Sequence, residues 1–238
     1  MKKPRLDDPD WVRAQYADET RLETRQAVYG QGASLPFDAA LAALAELAPG
    51  RVLEVGGGQG FFAARLRREL GCEVVGVDLS DRMVALQRER GIDAQVGDIQ
   101  MLPCADGSFD AVVANYMLYH VPDLDRAFAE VVRVLRPGGA FVAITNAVAH
   151  LQELWSLVGR DRRSEAGFND ENGEALLRPY FDRVERRLIR TTTTFEDEGA
   201  VRAYLASSGR WQDAVPAPFA TPLVATAASA VFVASRAA

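Results

Sequence analysis

The chain has 238 residues, enough to bury a full core in one α/β domain, and its 48% apolar and 25% charged residues exclude a disordered protein. A net charge of -6 argues against a nucleic-acid partner, whose phosphates demand clustered Lys and Arg. Two cysteines, Cys72 and Cys104, are too few for a zinc cluster or disulfide framework, and no apolar run approaches the ~20 residues of a membrane span or follows Met1-Lys2-Lys3 as a signal peptide would. The expectation is a cytoplasmic protein with no membrane partner and no metal.

Asp8 before Pro9 predicts a helix over 9–17, because Asp caps free N–H groups and Pro fits the first helical position. Asp18 can cap a second helix through Leu22, Ala27 and Val28, ended by Gly30. A third helix is expected over 38–47, with Leu41, Leu44 and Leu47 on one side and Pro49-Gly50 as its stop. Strand and helix then alternate: strands over 51–55, 73–77, 93–96 and 110–116, helices over 61–70, 81–90 and 123–136. This predicts a parallel sheet with helices on both faces. Pro137-Gly138-Gly139 breaks the last of those helices before a fifth strand over 140–145. Beyond it come helices over 147–158, 171–180 and 196–207, and strands over 184–190 and 229–235.

The run Val52-Leu53-Glu54-Val55-Gly56-Gly57-Gly58-Gln59-Gly60 takes a buried strand straight into a glycine-rich turn, where a ligand can approach the backbone. A dinucleotide fingerprint wants its third glycine at position 61, where this chain has Phe61. Glu54, two residues before the first glycine, would also repel a pyrophosphate and suits a positively charged ligand. Asp78 ends the second strand beside the glycine turn, placed to accept both hydroxyls of a ribose. Asp98, after the third strand, can accept from an exocyclic adenine amine. Three acids at three adjacent strand ends describe a nucleoside pocket without phosphate.

In order and spacing, Val52 to Gly60, Gly76-Val77-Asp78-Leu79-Ser80, Gly97-Asp98 and Leu135-Arg136-Pro137-Gly138-Gly139 resemble the motifs of class I S-adenosylmethionine-dependent methyltransferases. The segments Asn115-Tyr116-Met117-Leu118-Tyr119-His120-Val121-Pro122-Asp123 and Thr145-Asn146, with His150 and Glu153-Leu154 beyond, resemble the small-molecule branch, with a type 11-like domain. The resemblance implies a Rossmann-like seven-stranded sheet of order 3-2-1-4-5-7-6 with strand 7 antiparallel. It implies S-adenosylmethionine as cofactor and S-adenosylhomocysteine as product. Glu54, Gly56, Gly58, Gly60, Asp78, Leu79, Met83, Asp98, Ile99 and Asn115 are the residues expected to bind the cofactor, with Leu79 packed on the adenine and Ile99 reading its edge. The single domain divides into a helical lid (1–35), a cofactor-binding core (36–150), an insert with strand 6 (151–208) and a C-terminal strand (209–238).

Methyl transfer is an in-line displacement, so the enzyme chiefly aligns reactants, excludes water and removes a proton where the acceptor has one. The two histidines, His120 and His150, both fall just past strand ends and are candidate bases, with Tyr16 as a candidate lining or closing residue. Trp11, Tyr16 and Tyr29 furnish the expected lid. Where amide methyltransferases carry Asn/Asp-Pro-Pro-Tyr/Phe, this chain has Asn115-Tyr116-Met117-Leu118, which points to a small-molecule acceptor. Trp155, Phe168, Tyr180 and Tyr204 offer that acceptor apolar surface. The competing readings are a non-catalytic S-adenosylmethionine-binding module acting through a protein partner, and a nicotinamide dehydrogenase, which Glu54 and Phe61 disfavour. Oligomeric state is not encoded in these motifs.

Overall fold

The computed structural model describes residues 6–17, 20–29, 34–160, 167–209 and 211–237. Seven strands form one sheet in the order β3-β2-β1-β4-β5-β7-β6. Its parallel part consists of β1 (Arg51–Val55), β2 (Glu73–Asp78), β3 (Asp93–Val96), β4 (Phe109–Asn115) and β5 (Leu135–Asn146). β7 (Leu223–Ser235) runs antiparallel between β5 and β6 (Arg183–Phe195). The sheet order and the antiparallel last strand are as the sequence implied.

The strands of the sheet's centre are apolar on both sides because helices cover both faces. On one face, α3 (Ser34–Leu47), α4 (Phe61–Leu70) and α5 (Asp81–Glu89) send Leu44, Phe62, Leu66 and Val84 onto Val52, Val74, Val113, Val142 and Val231. On the other, α6 (Leu124–Val134) and α8 (Gly173–Leu177) set Phe128, Val131 and Leu177 against Leu53, Val75, Val112, Phe141 and Phe232. A third apolar cluster lies at the far end of β6, where α7 (Gln152–Ser156) and α9 (Glu198–Ser207) bring together Leu154, Trp155, Phe195, Tyr204 and Trp211. Two short helices, α1 (Pro9–Gln15) and α2 (Thr20–Ala27), precede the core. Asp8 caps α1 through its Oδ1, as expected, whereas the Asp18 cap and the Gly30 stop lie outside the described residues. Among the described residues, no helix is long and apolar enough to cross a membrane.

Several boundaries differ from expectation for identifiable reasons. α6 ends at Val134 rather than 136, because Leu135 turns extended and pairs with Phe109, so Pro137-Gly138-Gly139 forms the lead-in of β5 rather than a separate loop. The helix expected over 147–158 shrinks to Gln152–Ser156: Ala147 and Leu151 donate their amides to Ala228 and Thr226 of β7, and Leu151 takes φ +53°. α8 is likewise shorter than the expected 171–180, Asn169 Oδ1 accepting the Glu171 and Asn172 amides ahead of it. β6 and β7 are longer than expected, since they pair antiparallel from Arg183↔Ser235 to Phe195↔Leu223 and carry the threonine run Thr191–Thr194 with them. Asp110 lies inside β4, one residue after its start, and accepts the Gly50 and Arg51 amides, a structural staple.

Candidate active site

β1, β2, β3 and β4 end side by side, and their carboxyl edge forms the floor of a cavity of about 370 Å³. The glycine turn after β1 is backbone made to be approached: Gly56 has φ +64°, and a Cβ there would lie 2.8 Å from the Met117 side chain. Asp78 is nearly buried and accepts the Gly58 amide at Oδ2 (3.1 Å) and the Ser80 amide at Oδ1 (3.0 Å). Burial pushes its carboxyl up to about 6, against the pull of those amides and that of Leu79.

Glu54 lies deeper, 1% exposed. Its Oε1 accepts from Asn115 Nδ2 at 3.4 Å, and its Oε2 is buried without a hydrogen-bond partner. Burial pushes this carboxyl up to about 8, which the Ala63 amide and Asn115 only partly offset and nearby Asp78 reinforces. A carboxylate so placed lacks a counter-charge, and a cationic ligand supplies one. Asp98 lines the same floor, but Gln100 Nε2 donates to both of its oxygens, at 3.1 and 2.9 Å.

Above the floor stand two tyrosine–histidine pairs of opposite polarity. His120 Nδ1 lies 2.8 Å from the Leu6 carbonyl, which can only accept, so this nitrogen carries the proton and Nε2 accepts from Tyr16 Oη at 3.1 Å. Burial pulls the His120 imidazole down to about 4 and raises the Tyr16 phenol. His150 is reversed. The Ala228 amide donates to its Nδ1 at 3.1 Å, which puts the proton on Nε2, 2.8 Å from Tyr29 Oη; Tyr29 in turn lies 3.0 Å from Tyr204 Oη. His150 is therefore a hydrogen-bond donor toward Tyr29 in this arrangement.

Of the residues expected from sequence, Glu54, Gly56, Gly58, Asp78, Leu79, Asp98, Ile99, Asn115, Tyr16, His120 and His150 line one cavity. Gly60 and Met83 do not. Gly60 turns the chain into α4 with φ +80°, packed against Gln87, and Met83 is fully buried below the Ser80 cap of α5. Trp155, Phe168 and Tyr204 line the cavity as expected, whereas Tyr180 packs on Phe128 and donates to Asp125. Sequence reasoning missed Gln87, whose buried amide donates to the Gly58 carbonyl at 2.9 Å and holds the glycine turn from behind. It also missed Arg25, Arg160 and Trp211, which reach the cavity from segments with no motif.

Residues 53–143 match the family model of a methyltransferase domain. The ubiquinone/menaquinone biosynthesis C-methyltransferase UbiE of Methylobacterium nodulans is 41% identical over 105 residues, 40% of this chain and 42% of that protein. The malonyl-acyl-carrier-protein O-methyltransferase of Serratia marcescens is 36% identical over 121 residues, 49% of this chain and 47% of that one. The chain thus spans under half the length of these curated relatives. A SAM-dependent methyltransferase from Thermotoga maritima superposes with a TM-score of 0.56 at 22% identity, covering 90% of this chain and 98% of that one, a likeness of fold. The sheet order, the strand-end acids and the domain match over residues 53–143 agree in likening this chain to the class I S-adenosylmethionine-dependent methyltransferases.

Proposed function

We propose that the protein transfers the methyl group of S-adenosylmethionine to a small organic acceptor bound under α1 and α2. The observation that carries this reading is the buried Glu54 carboxylate with an unpartnered oxygen, set beside Asp78 and Asp98 on one cavity floor. That donor set fits the cofactor's chemistry. Glu54 would face its ammonium, Asp78 would accept from the ribose hydroxyls, and Asp98 and Ile99 would read the adenine edge while Leu79 would pack on its face. Gly56 and Gly58 would let the methionine part lie against the backbone.

When bound, the cofactor supplies an electrophilic methyl carbon on a sulfonium. The chain's own residues align the acceptor and exclude water. His120 Nε2, unprotonated at pH 7, accepts from Tyr16 Oη and holds that hydroxyl toward the acceptor; burial, which lowers His120 and raises Tyr16, makes the pair an aligning device rather than a strong base. His150 orients Tyr29 and Tyr204 instead. α1 and α2 act as a lid: Ser80 Oγ donates to the Tyr16 carbonyl at 2.8 Å, and Gln59 Nε2 to Glu23 Oε1 at 3.1 Å, tying both helices to the cofactor loop. The relatives named for ubiquinone/menaquinone biosynthesis and for malonyl-acyl-carrier protein support an acceptor that is small or presented as a small group. Labelled S-adenosylmethionine incubated with a cell extract split by size tests this: label is expected in the low-mass fraction, or in protein only in a form that thioester cleavage releases as a small molecule, and label confined to RNA, DNA or protein side chains overturns it.

A further inference from the structure

The cavity is electrically divided. Among the described residues, its three lining carboxylates, Glu54, Asp78 and Asp98, all stand on the strand-end floor, whereas its two lining cations, Arg25 and Arg160, come from the roof. Arg25, on α2, donates through Nη1 to the Ser207 carbonyl at 3.0 Å, and its guanidinium lies 5.7 Å from the Tyr16 ring centre. Capping α9 in this way uses one edge of the fork only. Nη2 is buried without a hydrogen-bond partner, and Arg25 makes no ion pair among the described residues. Arg160, just past α7, stacks on Trp155 at 4.1 Å and on Trp211 at 5.6 Å. Trp155 is 3% exposed, and its Nε1 is a second buried donor without a partner. Ser207, whose carbonyl Arg25 caps, and Tyr204, whose ring lies 5.9 Å from Trp155, share α9, so one helix connects the surroundings of the two guanidinium groups.

Buried donors left unpaired cost about 1–3 kcal/mol each, a cost an acceptor group of the right chemistry removes. Planar guanidinium forks and indole N–H groups recognise carboxylate and phosphate oxygens, and the surrounding Trp155, Trp211 and Tyr204 rings take an apolar body. We propose that the roof end of the cavity binds the acidic group of the methyl acceptor through Arg25, Arg160 and Trp155, so that the substrates are organic acids with an apolar or aromatic body. This rests on the methyltransferase reading and names its substrate class. It also gives the cavity a polarity: cationic cofactor on the acidic floor, anionic acceptor under the basic roof.

The test compares benzoate, cinnamate and octanoate with their primary amides, titrated against the S-adenosylhomocysteine-loaded protein by tryptophan fluorescence and calorimetry. At least one acid is expected to bind tenfold or more tighter than its amide. That preference should weaken with added salt and fall below about threefold in Arg25→Met and in Arg160→Met, while Arg25→Lys keeps part of it. Equal binding of acid and amide, no binding of any acid, or a preference that survives in both Met variants overturns the proposal. A tenfold loss of S-adenosylhomocysteine affinity in Arg25→Met would give that guanidinium to the cofactor's own carboxylate and remove it from the acceptor site. Failure of the unaltered protein to bind S-adenosylhomocysteine would instead defeat the methyltransferase reading, and the acid preference is measured without cofactor in that case.

Discussion

At the centre of the cavity floor Asp78 and the glycine turn are pinned by backbone groups, whereas the roof groups meet one another through side chains. Asp78 is fixed by the amides of Gly58 and Ser80, and the glycine turn by the Val77 carbonyl, all on neighbouring strand ends. Above them, Tyr16 meets His120 across 104 residues of sequence, Tyr29 meets His150 across 121, and Tyr204 closes the same chain of hydroxyls. Backbone hydrogen bonds of a parallel sheet tolerate many substitutions without moving, so a site built on them keeps one ligand. Side-chain networks change with each residue, so a roof built on them can change acceptors while the floor keeps its cofactor.

That division predicts separable effects. Replacing Asp78 by Ala removes two hydrogen bonds to a charged acceptor, at ~1.5 kcal/mol or more each, so S-adenosylhomocysteine affinity should fall about a hundredfold by calorimetry. A roof substitution should leave that affinity alone. Tyr16→Phe is expected to lower kcat by about a hundredfold through lost alignment of the acceptor, with cofactor binding within about twofold of the parent. If instead it weakens cofactor binding and spares kcat, floor and roof are not distinct. Glu54→Gln should weaken S-adenosylhomocysteine about tenfold at pH 8.

The same variant carries a stability signature. The Glu54 carboxyl titrates near 8 in the folded chain and near 4.5 when unfolded, so the folded state holds the extra proton between those values. Stability from this group is therefore full below pH 4.5 and lost as pH rises through 8. Ligand-free Glu54→Gln should show a higher Tm than the parent at pH 8 and a smaller difference at pH 5. The smallest effect is expected for Tyr204→Phe, which removes the hydroxyl facing Tyr29 at a cost of about 1 kcal/mol and should shift acceptor KM a few-fold without moving kcat.

The floor was legible in the sequence because its chemistry and its geometry are encoded in the same short segments. Glu54 to Gly60, Gly76 to Ser80 and Gly97-Asp98 each carry a strand end, a turn and an acid together, and the parallel order brings them to one edge. His120 and His150 could be placed near that edge, but not their tautomers, which depend on the Leu6 carbonyl and the Ala228 amide, far away in sequence. Arg25 sits on a short polar helix with no buried residue and no motif, so nothing in its own segment marked it as lining the cavity. The helix expected over 147–158 failed for a related reason. Its local propensity is helical, yet pairing of 147 and 151 with β7 is a tertiary contact that no window of sequence contains.

Calorimetric titration of the protein with S-adenosylhomocysteine at pH 6 and pH 8, with NAD as the comparison ligand, tests the central claim most directly. A cationic nucleoside bound over Glu54 must meet a carboxylate, and below pH 8 its binding must drive a proton off. The expected result is a single site, at least about tenfold tighter at pH 8 than at pH 6, with proton release at pH 6 seen as buffer-dependent heat and no binding of NAD. Binding of NAD as tight as that of S-adenosylhomocysteine, or S-adenosylhomocysteine affinity that does not change between the two pH values, would contradict it.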